Sequence, residues 1–294
     1  MLANYSEYFL HLAILICIYC MLAQSFNLVF GLGGLLNFAH VAAYAIGAYT
    51  TALLSVDLEL SFLSCLAASI LCSMLFSVLI GSISLRLSKD YFAIGSLAFS
   101  AIVTALLINW KQLTRGVLGI PGIPGPELAG FTFEDNTSFF FLILLFTLLS
   151  QFLLFLLFKG RMGRSLKAQA EFEQAALSLG INVRLIRNMA FMLASGFAGL
   201  AGSFYSYYIK YIDPSTFSIS ESVFILSIVI IGKPGSFLGV IAAAIFLVLL
   251  PEPLRFIDIN ESILGPMRQL LYALILFSMV YLRRDKIFNV QRSI

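Results

Sequence analysis

Apolar residues run along this chain in blocks separated by short polar or glycine-rich breaks, at residues 8–30, 38–55, 61–85, 91–109, 137–158, 188–209, 220–232, 237–254 and 264–282. A helix rises about 1.5 Å per residue, so about 20 apolar residues cross a hydrocarbon core roughly 30 Å thick. Several blocks reach that length, whereas barrel strands are much shorter and alternate. The pattern predicts an all-α polytopic bundle of about 8–10 transmembrane helices: nine as counted, eight if one short block is re-entrant. The first block continues well past the length of a signal-peptide core and has no Lys or Arg before it, so it reads as an uncleaved span.

Two breaks differ from the rest. Residues 31–40, GLGGLLNFAH, carry no Asp, Glu, Lys or Arg, and residues 232–239 read GKPGSFLG. Each precedes a helix of small residues: Ala39, Ala43, Gly47 and Thr51 in the first, Gly239, Ala242, Ala243 and Ala244 in the second. Irregular backbone at membrane depth survives only where protein buries it or where it lines a wet cavity. A pair of such broken segments points to a transport path built from internal repeats. The candidate path residues are Gly33, Gly34, Asn37, His40 and Gly47 with Gly232, Gly235, Ser236 and Gly239. The competing reading is helix packing through small residues, and it is preferred for Ala194, Ala198, Gly202 and Ser206 in block 188–209. For His40 a hydrogen-bonded structural role is preferred, and Lys233 is expected to reach water at the membrane surface.

Composition agrees: 60% of residues are hydrophobic and mean hydropathy is +0.98, against about 45–50% apolar residues in soluble domains. Charge then orients the bundle. Loops 86–90, 159–187 and 283–294 hold twelve Lys and Arg (Arg86, Lys89, Lys159, Arg161, Arg164, Lys167, Arg184, Arg187, Arg283, Arg284, Lys286, Arg292). The other side holds five: Lys111, Arg115, Lys210, Arg255 and Arg268. The positive-inside rule makes the first side cytoplasmic, with the N-terminus outside and the C-terminus inside. Residues 110–136 form an external loop rich in Pro and Gly, expected to be an ordered turn-rich connector or a short re-entrant hairpin, with a flexible linker as the competing reading.

An intramembrane enzyme needs a nucleophile with a base, paired acids or metal ligands. The two histidines, His11 and His40, match no metal motif, and there is no GxSxG or phosphate loop. Cys17, Cys20, Cys65 and Cys72 all fall inside spans and read as packing residues. The spans read as free of acid, which argues against ion coupling and for energy supplied by another subunit.

The basic loop 159–187 contains its own helix. Ser165 is a candidate N-cap and Gly180 a candidate terminator. Ala168, Phe172, Ala175, Ala176 and Leu179 recur at helical spacing as an apolar stripe, with Lys167, Glu171 and Gln174 facing elsewhere. Its small residues suit docking in another protein's groove better than lying on lipid.

That loop, GRMGRSLKAQAEFEQAALSLGINVRLIRNMAF with the following ASGFAGLAGSFYSYYIKYIDPSTF, resembles the signature region of LivM-type permeases of ABC importers, the branched-chain amino-acid permease family. NLVFGLGGLLNFAHVAAYAIGAYTTALL and GKPGSFLGVIAAAIFLVLLPEPLR resemble two further blocks of that family, in its order, over residues 24–288. Two positions depart: Lys233 stands where the family has a second glycine, and Ala39 where it has glycine before the histidine.

The resemblance implies one transmembrane permease domain over 1–294 that forms half of a pore in a bacterial inner membrane. It implies a second LivH-type permease, two cytoplasmic ATPases that hold ATP and Mg, and an external solute-binding protein, with no cofactor on this chain and no nucleic-acid partner. It further implies that the loop is the ATPase-coupling helix, carried by Gly163, Arg164, Ser165, Ala168, Glu171, Phe172, Ala175, Ala176, Leu179 and Gly180. The implied solute is a branched-chain amino acid, with urea or a short amide as the alternative. An ion-gradient carrier is the rival of a different class.

Overall fold

The computed structural model describes residues 2–84, 89–128, 130–252 and 261–287. Arg86, Arg255 and Arg292, counted above for orientation, lie outside the described residues.

Among the described residues nine helices of 13 or more residues correspond to the nine predicted blocks: α1 (Leu2–Asn27), α2 (His40–Val56), α3 (Phe62–Ser84), α4 (Lys89–Asn109), α6 (Asn136–Lys159), α9 (Val183–Ile209), α10 (Ile219–Ile231), α11 (Phe237–Leu249) and α12 (Glu261–Ile287). Three short ones sit in loops: α5 (Lys111–Thr114), α7 (Arg161–Glu171) and α8 (Glu173–Ser178). Among the described residues five stretches are long and apolar enough to cross a membrane, in α1, α3, α4, α6 and α9. The fold is an all-α polytopic membrane bundle.

Burial sorts these helices into hub and rim. The crossing stretches of α1 and α9 are 78% and 61% buried, against 33% or less for α3, α4 and α6. The rim exposes Leu71, Leu75, Ile94, Ile102, Phe141 and Leu145, side chains whose natural solvent is lipid. The hub helix α9 is the less apolar one because its job is close contact. A Cβ on Gly47 would sit 2.3 Å from the Cα of Gly199, and one on Gly199 would sit 2.3 Å from Ser73 Oγ. Helices α2, α3 and α9 thus approach almost backbone to backbone, as small residues permit. Thr51 donates to Ser203 at 2.7 Å and Ser73 to the Ala43 carbonyl at 2.9 Å across the same seam.

Helices α10 and α11 have 13 residues each, an axial rise of about 20 Å. They fold back on each other as a hairpin against α1. At the end of α9 remote from the basic loop, segment 110–136 is ordered into a clasp. Strand β1 (Ile120–Pro121) pairs antiparallel with β4 (Tyr211–Ile212), just past α9. Strand β2 (Glu127–Leu128) pairs with β3 (Phe131–Thr132). Ile120 and Ile123 are buried beneath it, and Arg115 meets Asp57 at 3.0 Å.

Candidate functional site

At the basic-loop end, α1 does not stop at Asn27 but widens into a π-helical turn, Leu28–Leu32. Such turns mark places where a helix carries a special contact. Here the contact is between the two broken segments. Asn27, fully buried, accepts from the Gly235 amide at 2.8 Å and donates to the Ser236 carbonyl at 3.3 Å and to Gln24 Oε1 at 3.1 Å. Gln24, also fully buried, donates to the Phe237 carbonyl at 2.5 Å. An N–H on one side and a carbonyl on the other fix which way the Asn27 amide points. Gly31 completes the junction: a Cβ there would lie 1.9 Å from Asn27 Oδ1 and 2.4 Å from the Gly235 nitrogen.

The predicted path residues divide accordingly. Gly235 and Ser236 meet α1 directly, and Ser236 caps α11 by accepting from the Gly239 amide at 3.2 Å. Gly232 and Gly239 face each other across the hairpin, where a Cβ on Gly239 would stand 2.0 Å from the Gly232 carbonyl. Gly34 takes a left-handed φ of 65° and Asn37 accepts from the Ala39 amide at 3.0 Å, so both shape the turn into α2. His40, 1% exposed, holds Ser25 Oγ at 3.1 Å and the Leu22 carbonyl at 3.2 Å, tying α2 to α1. Gly47 is not part of this centre: it lies against Gly199 in the hub. Lys233 is exposed in left-handed backbone, φ 71°, at the position where the resembling family has glycine.

The basic loop differs from a single capped helix. Its first helix, α7, starts after Gly160, so Ser165 lies inside it and caps nothing. Phe172 is extended, φ −144° and ψ 94°, and splits the predicted stripe between α7 and α8. Gly180 has a φ of 77°, and the Ile181 amide reaches the Ala176 carbonyl at 3.1 Å, the backbone pattern that ends a helix on glycine. The two pieces face opposite ways. Gly163, Leu166 and Gln169 are buried, and Leu166 packs with Leu28, Val29 and Leu32 of the π turn. In contrast, Phe172 (65%), Leu177 (54%) and Leu179 (80%) stand out with Ala175, while Ala176 turns inward. Arg164 and Glu171 are exposed and Ala168 half-buried. Arg187 contributes more than charge to the loop: its largely buried guanidinium holds Glu173 at 2.7 Å and ties α8 to α9.

Residues 8–280 match the family described as "Branched-chain amino acid transport system / permease component".

The chain belongs to this permease family.

It is 38% identical over 273 residues to the high-affinity branched-chain amino acid transport system permease protein LivM of Escherichia coli, covering 85% of this chain and 64% of that protein. The Salmonella typhimurium LivM is 37% identical over the same shares, and the Salmonella typhimurium LivH is 28% identical over 215 residues, 67% of this chain and 68% of LivH. The chain thus spans somewhat less than two thirds of the length of the LivM proteins it matches. No solved structure matches it significantly.

Within this permease fold three contributors escaped the sequence reading. Asn27 and Gln24 join the breaks, and Leu166 seats the loop on them. The only advance signal was a polar pair three residues apart inside an apolar block, which places both on one helix face. The reading of acid-free spans is also corrected: Glu221 and Glu252 fall within blocks 220–232 and 237–254, and both line one cavity. Ion coupling is therefore not opposed by a lack of acids in the spans.

Proposed function

We propose that this chain is the membrane permease subunit of an ABC importer and forms half of the pore for a small solute, a branched-chain amino acid as in the names of its relatives. Its partners are a second permease resembling LivH, two ATPases that bind ATP and Mg at the basic end, and a solute-binding protein at the clasp end. The excess of Lys and Arg puts the basic end in the cytoplasm of an inner membrane, with the N-terminus outside and the C-terminus inside. Transport proceeds by alternating access, nucleotide-driven closure of the ATPases shifting the balance between two pore states.

The observation that carries the reading is the double-faced loop. Leu166 of α7 is buried against the π turn, while Phe172, Ala175, Leu177 and Leu179 present bare apolar surface beyond the bundle. A groove in an ATPase is the natural cover for such a patch, and α7 carries its movement inward. In this role Gly163, Arg164, Ser165, Ala168 and Glu171 belong to the inner helix α7, Ala175 and Ala176 to the outer helix α8, and Phe172, Leu179 and Gly180 flank α8.

The test is co-purification. Ala175→Arg puts a long cation into the docked face and is expected to reduce ATPase recovery at least ten-fold with no change in the melting temperature of the isolated chain, since Ala175 is exposed. Unaltered recovery and uptake would overturn the coupling role. Uptake that persists with this chain alone and an ion gradient would overturn the importer reading itself, and competition by urea or acetamide at leucine-like concentrations would shift the solute to the amide class.

A further inference from the structure

A cavity of about 350 Å³ lies between α1, the start of α10, the end of α11 and α12. It sits toward the clasp end, since its α1 wall is Leu12, Leu15 and Tyr19, several turns from the Asn27 junction. Its volume is at the small end of the range for ligand pockets, about 300–1,000 Å³. Two surfaces meet in it. Leu12, Leu15, Phe224 and Val248 supply hydrocarbon, and Glu221 and Glu252 supply carboxylates. Tyr19 lies beside Glu221 in the lining and stacks edge-on against Phe224 at 4.9 Å. No Lys, Arg or His is among the described residues that line it.

An acid inside a membrane bundle is costly, and one kept there marks a solute or ion path by default. A phenol alone compensates a carboxylate poorly; a cation with its own donors compensates it well. The hydrocarbon lining beside the acids excludes a bare hydrated ion as the best occupant, because burying that lining against water gains nothing. The chemistry that satisfies both surfaces is a primary ammonium on a short branched aliphatic chain. We propose that this cavity is a solute subsite that takes the ammonium group at Glu221 and the aliphatic tail against Leu15, Phe224 and Val248. The proposal rests on the importer reading for its place at the entry end, and it names which end of an amino acid the permease itself grips.

The experiment is calorimetric binding to the full chain, purified in lipid nanodiscs with the subunits that accompany it. The probes are leucine, isopentylamine (no carboxylate), 4-methylpentanoate (no ammonium) and urea. Leucine and isopentylamine are expected to bind, and 4-methylpentanoate and urea to bind at least ten-fold more weakly. Glu221→Gln keeps the shape and is expected to weaken both amines about ten-fold or more, as loss of a charge-assisted bond does. Leu15→Phe, which narrows the cavity without touching its charge, is expected to lower affinity for both amines several-fold and keeps the test open should Glu221→Gln fail to fold.

Equal binding of leucine and 4-methylpentanoate, tight binding of urea, or amine affinity indifferent to these substitutions would overturn the proposal. Failures separate cleanly. Amine binding by a chain that supports no ATP-driven uptake would sink the importer reading and leave the subsite. ATP-driven leucine uptake whose KM ignores Glu221→Gln would sink the subsite and leave the importer.

Discussion

Replacing Asn27 by leucine, a side chain of similar size, removes the amide that holds the α10–α11 hairpin to α1 while leaving the surrounding packing filled. The Gly235 amide then loses its acceptor in a partly buried site, and the Ser236 carbonyl and Gln24 Oε1 each lose a donor. An orphaned buried donor costs about 1–3 kcal/mol and each ordinary hydrogen bond contributes about 0.5–1.5 kcal/mol net, so the hairpin tip should lose about 3 kcal/mol of local stability. At about 1.4 kcal/mol per factor of ten, that is roughly a hundred-fold gain in opening. Hydrogen–deuterium exchange reads it directly: amides 235–239 should exchange about a hundred-fold faster, while those of α4, which packs on α2 and α3 and away from this tip, keep their rates. In the assembled transporter the same variant should lower solute moved per ATP hydrolysed and leave ATPase recovery intact. Exchange at 235–239 changed by less than about three-fold would refute the claim that Asn27 clamps the two segments.

Two further outcomes follow from close approaches and backbone strain. Gly199→Val would drive side-chain atoms into Ser73 and the Ser69 carbonyl, and overpacking typically costs about 1–3 kcal/mol or more; the melting temperature and the folded yield should both fall, and an unchanged melt would remove the backbone-to-backbone account of the hub. Lys233→Gly should raise stability by about 0.5–1 kcal/mol, because a non-glycine residue in the left-handed region costs about 1–2 kcal/mol and glycine's extra chain entropy returns part of it; a lower melting temperature would show that the lysine side chain contributes more than its backbone costs.

The parts of this molecule legible in its sequence are those decided locally. A block of apolar residues is a helix wherever it packs, and Gly180 ends a helix because its own φ is free to reach 77°. The Gly-rich breaks were visible as breaks for the same reason. What each break touches was not visible, because Asn27 and Gly235 are 208 residues apart and helical spacing carries no information at that range. The loop shows the same limit in miniature. Periodicity predicts a continuous helix from 165 to 179, whereas the chain breaks at Phe172, with Leu166 buried on the π turn on one side of the break and the exposed apolar face of α8 on the other. Gly47 was grouped with the breaks by its neighbourhood in sequence, whereas its contact with Gly199 is a matter of helix rotation that only the assembled bundle decides.

These placements bear on how movement travels under the importer reading. A force on exposed α8 reaches α9 through Arg187 and Glu173 and reaches the π turn through α7 and Leu166. Packed interiors yield little, so displacement of the π turn is passed on rather than absorbed. From that turn Asn27 leads to the hairpin tip by hydrogen bonds whose geometry tolerates little stretch before they break. The hairpin arms then run back to the cavity at Glu221 and Glu252 near the other end. Of the rim helices α6 shares in this chain of contacts, its Phe155 and Phe158 rings lying 5.4 and 5.5 Å from that of Phe237 at the hairpin tip and its Leu154 packing with Leu166 and the π turn, while α1 and α9, the most buried of the crossing helices, join one end of the bundle to the other. Gln24 and Asn27, fully buried, and Glu221 at the cavity therefore fall on hub helix α1 and on the hairpin whose movement relative to it would open or close a path.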